Sequence, residues 1–235
     1  MARKLAQAML QAWEDGCAAQ AGERGLILLR LAEPTLSDAA CRALSVGRRD
    51  AALLGLHERM FGPIARALVD CPACAEPLEL DVPLAAIRVA PPEDVSEHFE
   101  LTREGQTLAF RLPTAGDLAD PVGASAGGLA RLCLLEPNAP TDPATVEALE
   151  AAIGAAVNLH DPQAVVSLAF DCPDCAAHWR SPFDIVEFLW RGFDRLAGDL
   201  LAEIHVIASA YGWGEDQILA LSPQRRRRYL GLIGA

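Results

Sequence analysis

Apolar positions recur with helical spacing at both ends of the chain and alternate in its middle. Leu5, Met9 and Trp13, with Leu10 adjoining, form one stripe and predict an N-terminal helix. Gly22 and Gly25 are expected to break it, and Pro34 to close the apolar stretch that follows. Ser37 is a candidate N-cap for a short helix reaching Leu44. Beyond Gly47, the residues Ala51, Leu54, His57, Glu58 and Phe61 read as a further helix that stops at Gly62-Pro63. Residues 1–70 are therefore expected to be a helical region.

The texture then changes. Glu79–Val82 and His98–Thr102 alternate polar and apolar side chains, Glu104-Gly105-Gln106 is a turn signal, and Thr107–Leu112 alternates again, so 98–112 predicts a hairpin. Gly116–Gly128 reads as a loop rich in Gly, Ala and Asp. A short helix is expected near Leu129–Leu135, and another after Pro137–Pro143, capped by Thr141 or Asp142. Val165–Phe170 reads as a strand. Phe193, Leu196, Ala197, Leu200, Leu201, Ile204, Ile207 and Ala208 then follow helical spacing until Gly212 or Gly214. A short helix near Glu215–Leu221 and a terminal one opened by Ser222-Pro223 complete the C-terminal region, 185–235.

Chemistry enters with two short words, Cys71-Pro72-Ala73-Cys74 and Cys172-Pro173-Asp174-Cys175. Two residues between cysteines let both sulfurs reach one ion from a tight turn, and four thiolates complete a closed structural zinc site. Residues 75–171 lie between the pairs, far more than the roughly 15–20 residues of a local ribbon. The expectation is a split zinc ribbon made of 71–84 plus 165–184, with 85–164 as an inserted mixed segment. Each knuckle is followed by an aspartate beside an aliphatic residue, Asp81-Val82 and Asp184-Ile185, which reads as a faint internal repeat. The expected fold class is α+β and mostly helical, with helical terminal regions joined through this discontinuous four-cysteine ribbon. His178, close after Cys175, could replace a thiolate but is expected to lie outside the ligand set.

Composition narrows the alternatives. Hydrophobic residues at 51% against 22% charged describe a globular chain, and no apolar run approaches the roughly 18 residues of a membrane span. No signal-peptide core follows the basic residues at the start, so a cytoplasmic protein is expected. Seven cysteines, an odd number containing CxxC pairs, suit a reduced metal-binding chain better than a disulfide framework. A net charge of −12 argues against general binding to a phosphate backbone. No nucleophile elbow, phosphate loop or His-Glu-x-x-His stands in the sequence, and the expectation is that this is not an enzyme.

Two further features bear on partners. Arg225, Arg226, Arg227 and Arg228 form the one dense positive run. It is read as a solvated face or a contact for an acidic protein surface, with a zinc-ribbon nucleic-acid module as the alternative. Replacing Arg226 or Arg227 by Ala is expected to leave the fold intact. The aromatic residues Tyr211, Trp213 and Tyr229 nearby are candidate anchors, since Trp and Tyr dominate binding hot spots.

One order of motifs runs through the C-terminal third: Cys172-Pro-Asp-Cys, Trp179, Phe183-Asp184, Phe188-Leu189-Trp190, Ile204-His205, Ala210-Tyr211-Gly212-Trp213, Ile218–Leu221 and Arg227-Arg228-Tyr229-Leu230. Earlier pieces match too: Val46-Gly47-Arg48-Arg49-Asp50, the first CPxC, and Phe110-Arg111-Leu112-Pro113-Thr114 before Asp117-Leu118. Together they resemble the T4-family baseplate hub assembly chaperones found with contractile phage tails and related injection systems. The resemblance implies a role in building the baseplate, with hub or tail proteins as partners, and no chemical activity.

Overall fold

The computed structural model describes residues 2–90, 98–136, 140 and 142–234, and the side chains from residue 6 onward. Thr141 and residues 137–139 of the expected helix boundary lie outside the described residues. The fold is mostly helical α+β, and its strands pair as two-stranded antiparallel sheets. The chain divides into two compact units. One comprises Met1–Gln20 with Glu187–Ala235, the other Ala21–Val186. Residue 70 is a boundary of neither, because the helices that precede it pack with elements that follow it.

In the first unit, α1 (Ala2–Cys17), the long α9 (Ile185–Tyr211, nearly all in this unit), α10 (Glu215–Leu219) and α11 (Pro223–Ile233) share one core. Leu10, Ala197, Leu200, Ile204, Ile207, Ile218 and Leu219 are buried together. Gly16 lets α1 approach Trp190, since a Cβ there would stand 2.1 Å from the indole ring. Trp13 donates its indole N–H to Asp194 at 2.8 Å. Gly212 ends α9 at φ +66°, a left-handed position that favours glycine. Ser222 caps α11 through its hydroxyl, with Pro223 at the first turn, as the sequence predicts.

The second unit begins with α2 (Ala21–Ala32), whose Leu26, Leu28 and Leu29 are fully buried. Here Gly22 and Gly25 sit inside the helix instead of breaking it. Their small size serves close approach: a Cβ on Gly22 would lie 1.9 Å from the Leu118 carbonyl oxygen, and one on Gly25 would press on Arg49 and Val186. Leu118 belongs to α6 (Ala115–Ala119), a short helix within the stretch expected to be a loop. Its Thr114–Asp117 capping box is a local signal that the glycine-rich surroundings obscure. α3 (Asp38–Ala43) carries the expected Ser37 cap, and α4 (Val46–Phe61) is capped by Ser45. The first seventy residues also hold β1 (Ile64–Asp70), a strand in place of the expected all-helical stretch.

β1 pairs with β2 (Pro77–Pro83), which runs into the single turn α5 (Leu84–Ile87). The expected hairpin is present as β3 (Phe99–Arg103) and β4 (Gln106–Phe110). Glu104 and Gly105 both have positive φ, the backbone of a tight two-residue hairpin turn. This hairpin packs with α7 (Gly128–Cys133) and α8 (Pro143–His160) around Phe110, Cys133, Leu149, Ile153 and Val157. Asp142 is the N-cap of α8. A short 3₁₀ turn, Pro162–Val165, leads to β5 (Ser167–Asp171), paired with β6 (His178–Pro182). Among the described residues no helix is long and apolar enough to cross a membrane.

Buried charges fix how these pieces meet. Asp161 accepts from the Ser45 hydroxyl at 3.0 Å and from the Gly47 amide at 2.7 Å, placing a carboxylate on the N-terminus of α4. Gly47 cannot carry a side chain, because a Cβ would meet Asp161 Oδ1 at 2.2 Å. Arg49 and Asp50 pair while buried; desolvation, against the pull of Arg49, raises Asp50 to about 6. Arg111 donates to both oxygens of Asp117, at 2.6 and 3.0 Å, and to the carbonyls of Leu112 and Leu132. Burial tends to raise the Asp117 carboxyl, but Arg111 and Thr114 outweigh it and hold it below 3.8.

A group lowered in this way stabilises the fold above its unfolded pKa, and the gain is lost as pH falls through the folded value. Asp117→Asn should cost about 2 kcal/mol at neutral pH. In urea unfolding the gap between parent and variant should narrow as the pH is taken below 3.8.

Candidate metal centre

Each cysteine pair stands at the tip of a hairpin. β1 delivers Cys71 and β2 departs after Cys74; β5 and β6 do the same for Cys172 and Cys175. The two turns are built alike. The Ala75 amide donates to the Cys71 carbonyl at 2.8 Å, and the Cys71 amide donates to Glu76 at 2.9 Å. In the second turn Ala176 donates to Cys172 at 3.0 Å, and Cys172 to Ala177 at 2.9 Å. Ala75 and Ala176 both adopt left-handed backbone, at φ 60° and 56°. That geometry is strained for alanine, and it wraps the chain back around the sulfurs.

The repeat is thus real, and the hairpin pairing sets its register. Asp70↔Pro77 closes the first hairpin as Asp171↔His178 closes the second. Counting outward matches Leu84 with Ile185, both buried and each the first residue of a helix. The expected equivalence of Asp81-Val82 with Asp184-Ile185 is therefore out of register. The repeating unit is strand, knuckle, strand and helix start.

The four sulfurs converge. Cys71 Sγ lies 3.7 Å from Cys175 Sγ, Cys74 Sγ lies 3.6 Å from Cys172 Sγ, and all four fall within 4.8 Å of one another. A tetrahedral ion about 2.3 Å from each sulfur needs sulfur–sulfur edges of about 3.8 Å, so the quartet is dimensioned to hold one metal ion. Cys71 and Cys172, the first of each pair, are buried, whereas Cys74 and Cys175 face outward.

Protonation follows the crowding. Burial opposes the Cys71 thiolate, but the amides of Ala73 and Cys74 and the neighbouring thiols outweigh it and bring it to about 7. The Glu76 amide favours the Cys74 thiolate, yet burial and the three other sulfurs push it up to about 12. One thiolate forms readily in this cage; a second beside it is opposed. A cation reverses that order by compensating the charge of all four.

His178 is not in the cluster. It faces Asp171 across the β5–β6 ladder and hydrogen-bonds to it on the exposed side. Phe170 stacks on Trp179 at 5.1 Å, a cross-strand aromatic pair just behind the second knuckle.

The partner residues expected from the sequence lie together in the first unit. Tyr211 stacks on Trp213 at 5.0 Å, and Tyr229 meets both edge-on. Tyr211 is exposed, while Trp213 and Tyr229 are half-buried against the core. Arg225, Arg227 and Arg228 are exposed. Arg226 is not: it is buried, donating to Glu203 at 2.8 Å and to the Leu221 carbonyl at 3.0 Å. The expectation that its loss would spare the fold is corrected by this geometry. A signal for it exists in the sequence, since Tyr229 and Leu230, three and four residues on, put Arg226 on the inward stripe. The roles of Asp161, Arg49 and Arg111 depend on partners that no local sequence pattern announces.

No family model, no curated protein and no solved structure matches this chain.

Two outcomes are expected. Purified protein should carry one tightly held metal ion per chain by elemental analysis, and Cys71→Ser/Cys172→Ser should lose it and melt at lower temperature. Arg226→Ala should cost about 3 kcal/mol in urea unfolding by stranding Glu203, whereas exposed Arg225→Ala should change stability by less than about 0.5 kcal/mol.

Proposed function

We propose that the chain is a non-enzymatic assembly protein of a phage-like contractile tail or injection system, pinned by zinc and binding a hub or tail component. The closed four-sulfur cluster is the observation that carries the physical part of this reading. Four thiolates around a tetrahedral ion leave no open position for water or substrate, so the metal serves architecture and not reaction. Zinc is the ion that soft sulfur ligands in this geometry favour, and it brings no redox chemistry of its own.

The tail assignment is supported by the ordered motifs of the sequence. Several of these have structural work in the fold: Gly47 under Asp161, the buried Arg49–Asp50 pair, the Arg111–Asp117 staple, the knuckles and the left-handed Gly212. Residues committed to packing and pairing in this way serve architecture and not reaction, which is compatible with an assembly role. The alternative, a zinc-ribbon nucleic-acid module, draws on the same knuckles and on the exposed arginines of α11, and the net charge of −12 weighs against it.

Deleting the gene from a genome that makes contractile particles should yield tails lacking complete baseplates in electron micrographs, with wild-type but not the double-serine chain restoring them. Normal, infective particles in the deletion strain would remove the assignment.

A further inference from the structure

In the first unit, α1, α9 and α11 leave an open groove of about 400 Å³ between them. Met9, Leu196, Leu200 and Pro223 give it apolar walls. Its charged members differ in kind. Glu203 and Arg226 are bonded to each other and so neutralise one another, leaving Asp199 on the α9 side and Arg227 on the α11 side. Arg227 also belongs, with Gln224, Arg225 and Arg228, to a shallow exposed face of α11. The apolar groove is therefore bordered at Arg227 by the exposed cationic face of α11.

We infer that this composite surface docks a peptide segment of a partner protein in which a few apolar side chains are followed by a run of carboxylates. The apolar residues remove Met9, Leu196 and Pro223 from water. The carboxylates meet Arg225, Arg227 and Arg228, whose guanidinium N–H groups donate to a carboxylate in bidentate fashion. Charge complementarity selects this occupant over a second copy of the chain, because two bodies of net charge −12 repel one another. Asp199 adds a constraint on pattern: carboxylates placed among the apolar residues would face it, so the acidic run must stand at one end. The inference rests on the reading of the chain as a binding protein, but not on the tail assignment.

The test uses the full-length chain and fluorescence anisotropy. The probe is a labelled peptide with leucines at helical spacing followed by consecutive glutamates. Binding is expected to weaken with added salt. It should weaken about tenfold or more when Arg225, Arg227 and Arg228 are replaced by Glu, a loss of about 1.4 kcal/mol per tenfold. Those three side chains are exposed, so circular dichroism should show the parent fold. Replacing the peptide's leucines by serine, or scattering its glutamates among them, should weaken binding comparably. Leu196→Glu tests the wall from the protein's side, and the serine peptide tests the same point if that variant does not fold.

The inference is overturned by any of four results: no binding of the parent peptide, indifference to the arginine replacements, a single-stranded DNA oligonucleotide bound as tightly, or self-association of the chain blocked by the same replacements. Baseplate loss in the deletion strain alongside any of these would leave the assembly reading standing and remove only the groove.

Discussion

The two knuckle hairpins of the second unit are held by the convergence of four sulfur atoms within 4.8 Å of one another. A lone two-stranded hairpin is marginal in water, and the knuckle hairpins have little else to hold them. Along β2 and β6 only alternate residues are even partly covered, and Leu68 on β1 is 65% exposed. The tips are where order is imposed. Bringing Cys71 and Cys172 together closes a long loop whose entropic cost rises only slowly with its length, so one strong cross-link can offset it. The segment between them carries its own apolar cluster around Phe110 and Ile153, which lets the closure act on a structured body and not on loose chain.

The reciprocal pairing of the sulfurs follows from the repeat. The first cysteine of one knuckle lies against the second of the other, and the converse holds for the remaining pair. Two like units meeting face to face produce this arrangement, as in a two-fold interface, here within a single chain. The alanine that follows each knuckle takes the same left-handed conformation, so the likeness extends to the backbone as well as the ligands.

Beyond the cysteine cluster, buried charges specify register. Asp161 on the Gly47 amide, Arg111 on Asp117, and Arg226 on Glu203 each bind groups from different elements or turns in a geometry that tolerates no slip. Such pairs add little stability over an apolar core, but a displaced partner would leave a charge buried alone. They also divide the arginine run by function: one member is committed to the fold, and three remain for solvent or a partner.

Sequence by itself determined the features that local chemistry controls. The CPxC words named the four cysteines that converge, the Ser37 and Ser222 caps set helix starts, the Glu104-Gly105 turn set a hairpin, and the apolar stripe of α9 set its inward face. Tertiary structure decided what depends on neighbours distant in the chain. Gly22 and Gly25 looked like helix breakers because propensity weighs only backbone entropy; the Leu118 carbonyl and the Arg49 and Val186 side chains turn them into close contacts within a helix. β1 was hidden because its pairing energy comes from β2, across the knuckle. Arg226 read as one of four surface cations because charge alone carries no direction, and only the packing of α11 on α9 turned it inward onto Glu203.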